Sequence, residues 1–88
     1  MAEDLWTIAR QRLQHYEVAP PALAFLEKEM RAAQLRLDTE PARGSEAQAN
    51  VRLLVDTMAE IGVEQYVPLT EEVYFAARSR LCPLFPIC

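Results

Sequence analysis

The second quarter of the chain carries the pattern that most constrains the fold. Its apolar residues recur at alternating intervals of three and four, which is the spacing of one face of an α-helix; they are Leu23, Leu26, Met30, Ala33 and Leu37. This spacing predicts a helix from Ala22 to Thr39, about 27 Å long at the usual rise per residue. Pro21 suits its first turn, because an amide there has no partner within the helix.

The same periodicity predicts a helix on the N-terminal side and another on the C-terminal side. Apolar residues share one side of residues 3–17, and the pair Pro20-Pro21 ends that helix. Near the other end, Thr70 is a predicted N-cap for a helix from Glu71 to Leu81. Acidic residues begin this last helix and arginines end it, as the helix dipole favours.

A further helix is predicted between these elements. Ser45 is followed three residues later by Gln48, the spacing of a capping box, so we expect Ser45 to be the N-cap. Gly62 follows the last apolar residue of the pattern, Ile61, where a left-handed C-cap is common. Residues 63–69 then form an expected connector, which would bury its own Tyr66 and Val67 by lying extended across the second and third helices.

These elements predict an all-α fold. We expect a small helical bundle of three to four helices, built on a central antiparallel hairpin of the second and third helices. Residues 1–81 form the single expected domain, and residues 82–88 form an extended tail that contains two prolines and two cysteines. A chain of 88 residues is too short for a large interior active site.

The charge and hydropathy of the chain limit its partners. The net charge is −4, with 13 acidic and 9 basic residues, and the basic residues form no stripe. Nucleic acid is therefore not an expected partner. No apolar run reaches the length of a membrane span, and the acidic start has no basic segment typical of a signal peptide. We therefore expect a cytoplasmic protein that does not bind membranes.

Residues that carry chemistry are few. His15, the only histidine, is predicted on the polar side of the first helix. Asp56, Glu60 and Glu64 recur every four residues, which predicts a solvated helix face rather than an acid–base pair. No sequence motif for phosphate binding, nucleophilic catalysis or metal binding is present. We expect no enzyme activity, no cofactor and no metal within one chain.

Large apolar residues outside the predicted core faces are the most informative signal. At 100° per residue, several point away from the main apolar stripe of their helix, and others lie in the tail. The predicted partner-binding residues are Phe25, Leu35, Leu53, Phe75, Leu84, Phe85 and Ile87. They predict a protein–protein interaction module, acting as an adaptor, assembly factor or regulator, that forms a homo-oligomer or binds another protein. The alternative is that the first helix and the tail cover them.

The tail leads to a second functional hypothesis. Cys82 and Cys88 are the only cysteines and flank a Pro-Leu-Phe-Pro segment. They could undergo thiol chemistry, so that the chain would be a substrate, carrier or precursor whose tail is modified or redox-active. The tail also fits the R-x-x-P-x-x-P pattern of polyproline ligands, which is short and weakly specific.

A third hypothesis is a helical DNA-binding regulator. The third helix would enter the major groove through Gln48, Asn50 and Arg52 near its start. Its later carboxylates, Asp56 and Glu60, would then approach phosphates, which disfavours this hypothesis.

Overall fold

The computed structural model describes residues 4–65 and 68–81, and within them the chain is helical. Four α-helices follow one another as α1 (Leu5–Leu13), α2 (Pro20–Leu37), α3 (Gly44–Gln65) and α4 (Glu71–Leu81), with a 3-10 turn at Pro41–Arg43 before α3. The only strand-like pairing among these residues is a single parallel bridge between Val18 and Leu69. The prediction of an all-α fold is confirmed. The expected burial of Tyr66 and Val67 and the expected tail lie outside the described residues.

Helix α1 begins at a side-chain cap close in sequence, and the segment after it bonds to a residue that is distant in sequence. Asp4 caps it by accepting a hydrogen bond of 2.7 Å from the backbone N–H of Thr7, and this bond lowers the pKa of the Asp4 carboxyl. The predicted end at Glu17 is wrong, because the helix stops at Leu13. Beyond it, the Leu69 N–H donates to the Glu17 carbonyl and the Ala19 N–H donates to the Leu69 carbonyl. The backbone groups of Glu17 and Ala19 are thus paired with Leu69, in the connector before α4, and not within a longer α1.

Helix α2 begins two residues earlier than predicted, at Pro20, and ends at Leu37. The heptad-like stripe is buried at four of its five positions. Leu23 is the exception, because its side chain is 39% exposed and Ala22 lies in the core instead. Glu27 and Arg31 form an ion pair one turn apart, at 3.6 Å.

Helix α3 is longer at both ends than the sequence predicts. Ser45 is not its N-cap, because the chain passes from the 3-10 turn directly into the helix through Gly44, whose φ of −56° and ψ of −45° are helical. Gly62 is not a C-cap either; it is buried within α3, which continues to Gln65. The following residue, Val63, is exposed.

Helix α4 has the predicted bounds. The Thr70 hydroxyl accepts a hydrogen bond of 3.3 Å from the Val73 N–H, so the predicted N-cap is confirmed. Leu69 and Tyr74, on either side of this cap, are both buried. This local apolar pair and the cap together define the start of the helix.

The core lies where α1 and α4 pack against the two long helices. Helix α1 contacts α2 and α3, and α4 contacts α3 and α2. Helices α2 and α3 approach each other only sparsely, so the expected central hairpin is not confirmed. The largest fully buried side chains are Tyr74, Leu5, Leu26, Met30, Leu54, Met58, Ile61, Val51 and Val55. They form one continuous apolar cluster with contributions from all four helices.

Candidate functional site

A surface groove runs between α2 and α4, which touch each other less than the other packed helix pairs do. It is a cavity of about 550 Å³. Its floor includes the buried residues Met30 and Ala33, and the side chains at its walls are Glu29, Ala32, Leu35, Arg36, Tyr74 and Arg78. We call this cavity the α2–α4 groove.

An aromatic cluster lies next to the groove. The ring of Phe25 on α2 packs against Tyr74 and Phe75 on α4, with centroids 5.5 and 5.4 Å away, and Tyr74 and Phe75 are 5.3 Å apart. These distances are typical of attractive edge-to-face and tilted ring pairs. Tyr74 is buried, Phe25 is half-buried, and Phe75 remains 48% exposed. The cluster therefore both holds α4 on α2 and leaves an aromatic edge at the surface.

A polar cluster crosses the groove beside these rings. Glu29 on α2 is 3.5 Å from an Arg78 guanidinium nitrogen and accepts a long hydrogen bond of 3.4 Å from the Tyr74 hydroxyl. Burial of the phenol, reinforced by the negative charge of Glu29, raises the pKa of Tyr74 to about 12. The phenol is therefore neutral at physiological pH and acts as a hydrogen-bond donor.

Leu35 also lines the groove, ten residues after Phe25 on α2. Its side chain is 70% exposed, although it is a large aliphatic residue; it lies in the last turn of α2. It also borders a second depression that contains Trp6 from α1. Together with Phe25 and Ala32 it belongs to an outer row of α2, on the side away from Leu26 and the core.

A second row of exposed residues lies on α3. The exposed residues Ala49, Leu53, Asp56 and Glu60 repeat at intervals of four, three and four, so they share one outer face of the helix. We call this row the α3 stripe. Leu53 is 50% exposed at its centre, and no residue of α3 lines the α2–α4 groove. The groove and the stripe are therefore separate surfaces.

The predicted partner-binding residues divide accordingly. Phe25 and Phe75 are in contact, and Leu35 lies along the same pair of helices. Phe25 is less exposed than the sequence suggests, because it packs against the core. Leu53 is not brought together with them. Leu84, Phe85, Ile87, Cys82 and Cys88 lie outside the described residues.

Three residues of the groove were not predicted from the sequence. Glu29, Tyr74 and Arg78 come together only because α4 packs beside α2. For Tyr74 the available signal was its position four residues after the Thr70 cap, which is typical of an apolar contact with Leu69 across the cap. Neither Glu29 nor Arg78 has a local sequence signal that distinguishes it from an ordinary surface charge.

The side chains capable of acid–base or metal chemistry are dispersed. His15 lies beyond the end of α1 and is exposed. Asp56 in the α3 carboxylate row pairs with Arg12 of α1 at 2.8 Å, an interaction that the sequence pattern did not predict. Across residues 4–65 and 68–81, no three His, Cys, Asp or Glu side chains cluster as metal ligands would. The same part of the chain has no helix with the length and apolar character needed to cross a bilayer.

Comparison with known proteins gives no relative: no protein-family model, no curated protein and no solved structure matches this chain.

Proposed function

We propose that this chain is a small non-catalytic protein–protein interaction module that associates through apolar helix faces, as an adaptor, assembly factor or regulator does. The observation that carries the proposal is the exposure of Leu35, which lines the groove, and of Phe75, whose ring packs against the groove-lining Tyr74. Both could be buried by a single partner, and the removal of apolar area from water is the main favourable term in most protein association. Aromatic side chains beside a charged guanidinium, here Phe75 and Arg78, are also typical of interface centres.

The groove suits binding rather than reaction chemistry. Its one carboxylate, Glu29, is paired with Arg78, and its phenol, Tyr74, holds its proton at neutral pH. The phenol is therefore not available as a base near physiological pH, and the carboxylate already contacts a cation. The negative charge of the α3 stripe disfavours the DNA-binding hypothesis, because Asp56 and Glu60 would lie next to phosphates.

Cross-linked affinity capture from an extract of the source cells tests this proposal. The bait is the wild-type chain, and the test variant is Leu35→Asp, which puts a charge into the groove at an exposed position. Val63→Asp is the matched control, because Val63 is 73% exposed and lines a different depression.

The expected result is a protein, whether further copies of this chain or another species, recovered with wild type and with Val63→Asp and at least fivefold depleted with Leu35→Asp. Recovery that is equal for all three baits, or no recovery above beads alone, would contradict the proposal.

A further inference from the structure

Helices α2 and α4 begin side by side and run in the same direction. Just before α2, the Ala19 N–H donates a hydrogen bond of 3.0 Å to the carbonyl of Leu69, just before α4. Further along, the aromatic cluster joins the two helices, and beyond it Glu29 lies 3.5 Å from a nitrogen of Arg78. Residue numbers therefore increase together along both helices.

Helix α2 continues beyond the end of α4. It has 18 residues and α4 has 11, which correspond to about 27 and about 17 Å. Because Arg78 is level with Glu29, the last residue of α4, Leu81, is level with Ala32. Leu35 lines the groove one turn further on and is 70% exposed. The chain therefore leaves α4 next to the end of the groove that contains this exposed leucine.

The residues that follow α4 suit this end of the groove. Residues 82–88 lie outside the described part of the chain, and their sequence contains three large apolar side chains, Leu84, Phe85 and Ile87. Pro83 disfavours a helical residue before it, which favours a change of direction away from the axis of α4. Seven extended residues reach about 23 Å, more than twice the roughly 10 Å between the axes of packed helices. The tail is therefore long enough to lie against Leu35.

We propose that residues 82–88 bind the α2–α4 groove of their own chain, with their large apolar side chains covering Leu35. This inference rests on the proposed function, and it adds an internal competitor that a partner must displace. A segment on so short a tether has an effective concentration in the millimolar range, so that even a weak contact is well populated. The tail also indicates what the groove accepts from a partner, which is an extended segment with large apolar side chains.

Methyl ¹H–¹³C spectra at a concentration where sedimentation velocity gives the 10.0 kDa of one chain test the contact. Wild type is compared with the double variant Leu84→Ser with Phe85→Ser, and a reducing agent keeps both cysteines as thiols. The Leu35 methyl signals are expected to differ between the two proteins, because the ring of Phe85 no longer lies beside them. The signals of Leu53, an exposed leucine on α3, serve as the matched control and should stay in place. Unchanged Leu35 signals would overturn the proposal, as would a difference that appears only when the concentration is raised, since tails would then bind other copies.

The reciprocal experiment observes the tail. Leu35→Asp puts a charge into the groove and should shift the backbone amide signals of residues 84–87, whereas Leu53→Asp should leave them in place. Both positions are at least half exposed, and circular dichroism verifies that both variants keep their helices. Tail signals that ignore Leu35→Asp, or that respond equally to Leu53→Asp, would show that the tail does not bind the groove.

Extract capture with the double variant as bait separates this inference from the proposed function. The apparent affinity of a partner falls with the fraction of grooves that the tail occupies, so the double variant should recover about threefold more partner than wild type, or better. An unchanged or lower yield overturns the competition. If the Leu35 and tail signals respond as expected but no partner is recovered, the proposed function fails and the tail contact stands. If capture depends on Leu35 while its methyl signals ignore the tail substitutions, the proposed function stands and this inference fails.

Discussion

The ring of Phe25 lies 5.4 Å from the ring of Phe75, centroid to centroid, with the two planes inclined by 54°. This contact joins α2 to α4 at the edge of the groove, and the buried Tyr74 touches both rings. Helices α2 and α4 have few other close approaches. The aromatic cluster is therefore the main connection between the two walls of the groove.

Truncation of these rings is expected to destabilise the fold unequally. Phe25→Ala should lower the free energy of unfolding by about 2 kcal/mol and Phe75→Ala by about 1 kcal/mol, because Phe75 is already half exposed. Urea denaturation of both single variants and the double variant gives the coupling, which we expect to be about 0.5–1.5 kcal/mol. Strictly additive effects would mean that the ring contact contributes nothing of its own.

Gln34 holds the start of α1 from a distance. Its side-chain Oε1 accepts a hydrogen bond of 2.9 Å from the Leu5 backbone N–H, and its Nε2 donates to Asp38. Gln34→Met should cost about 1–2 kcal/mol, because it leaves a partly buried amide without an acceptor. The Leu5 amide should also exchange its hydrogen faster. Asp38→Ala removes only the second of these bonds and is the control; a loss as large as that of Gln34→Met would show that the bond to Leu5 is not the cause.

Gly44 is a glycine in a position that does not require one. Its backbone is right-handed helical at the start of α3, and a Cβ added there meets nothing within 4 Å. Gly44→Ala should therefore raise the free energy of unfolding by about 0.4–1 kcal/mol, because alanine restricts the unfolded chain. Thermal or urea unfolding measures this. A destabilised variant would mean that Gly44 adopts another conformation.

Much of the helix content could be predicted from local sequence. The Thr70 cap and the charges of α4 specify both ends of that helix, and the spacing of Leu26 and Met30 specifies the buried face of α2. The ends of α1 and α3 could not be predicted, because the bonds from Leu69 end one and the 3-10 turn before Gly44 begins the other.

The candidate site was predictable only in its exposed members. The helical angle of Leu35, Leu53 and Phe75 already placed them away from the core stripe, and all three are at least 48% exposed. Which of these residues share a surface depends on which helices pack together, and the spacing within one helix does not encode that. The expectation of an α2–α3 hairpin therefore missed the groove that α4 forms with α2.

The raised pKa of Tyr74 predicts a loss of stability in alkaline solution. The folded protein holds the phenol proton up to a pH of about 12, whereas the unfolded chain releases it near 10. The unfolded state thus binds fewer protons between these values, so the contribution of this group is intact below pH 10 and is lost as the pH rises toward 12.

Tyr74→Phe isolates this effect, because it keeps the ring and removes the titrating group. At pH 7 the variant should be slightly less stable than wild type, having lost the hydrogen bond to Glu29. The difference should shrink and then reverse as the pH rises from 10 to 12, in parallel urea denaturations. A difference that stays constant over this interval would rule out a raised phenol pKa in the folded state.

The most direct test observes the exposed leucines themselves. Methyl ¹H–¹³C spectra of the wild-type chain are recorded from low-micromolar to submillimolar concentration. We predict that the Leu35 and Leu53 methyl signals shift together with increasing concentration, while those of Val63 and of the buried Leu26 stay in place. Leu35 and Leu53 signals that do not move at any concentration, or a shift at Val63 alone, would contradict self-association through these exposed helix faces.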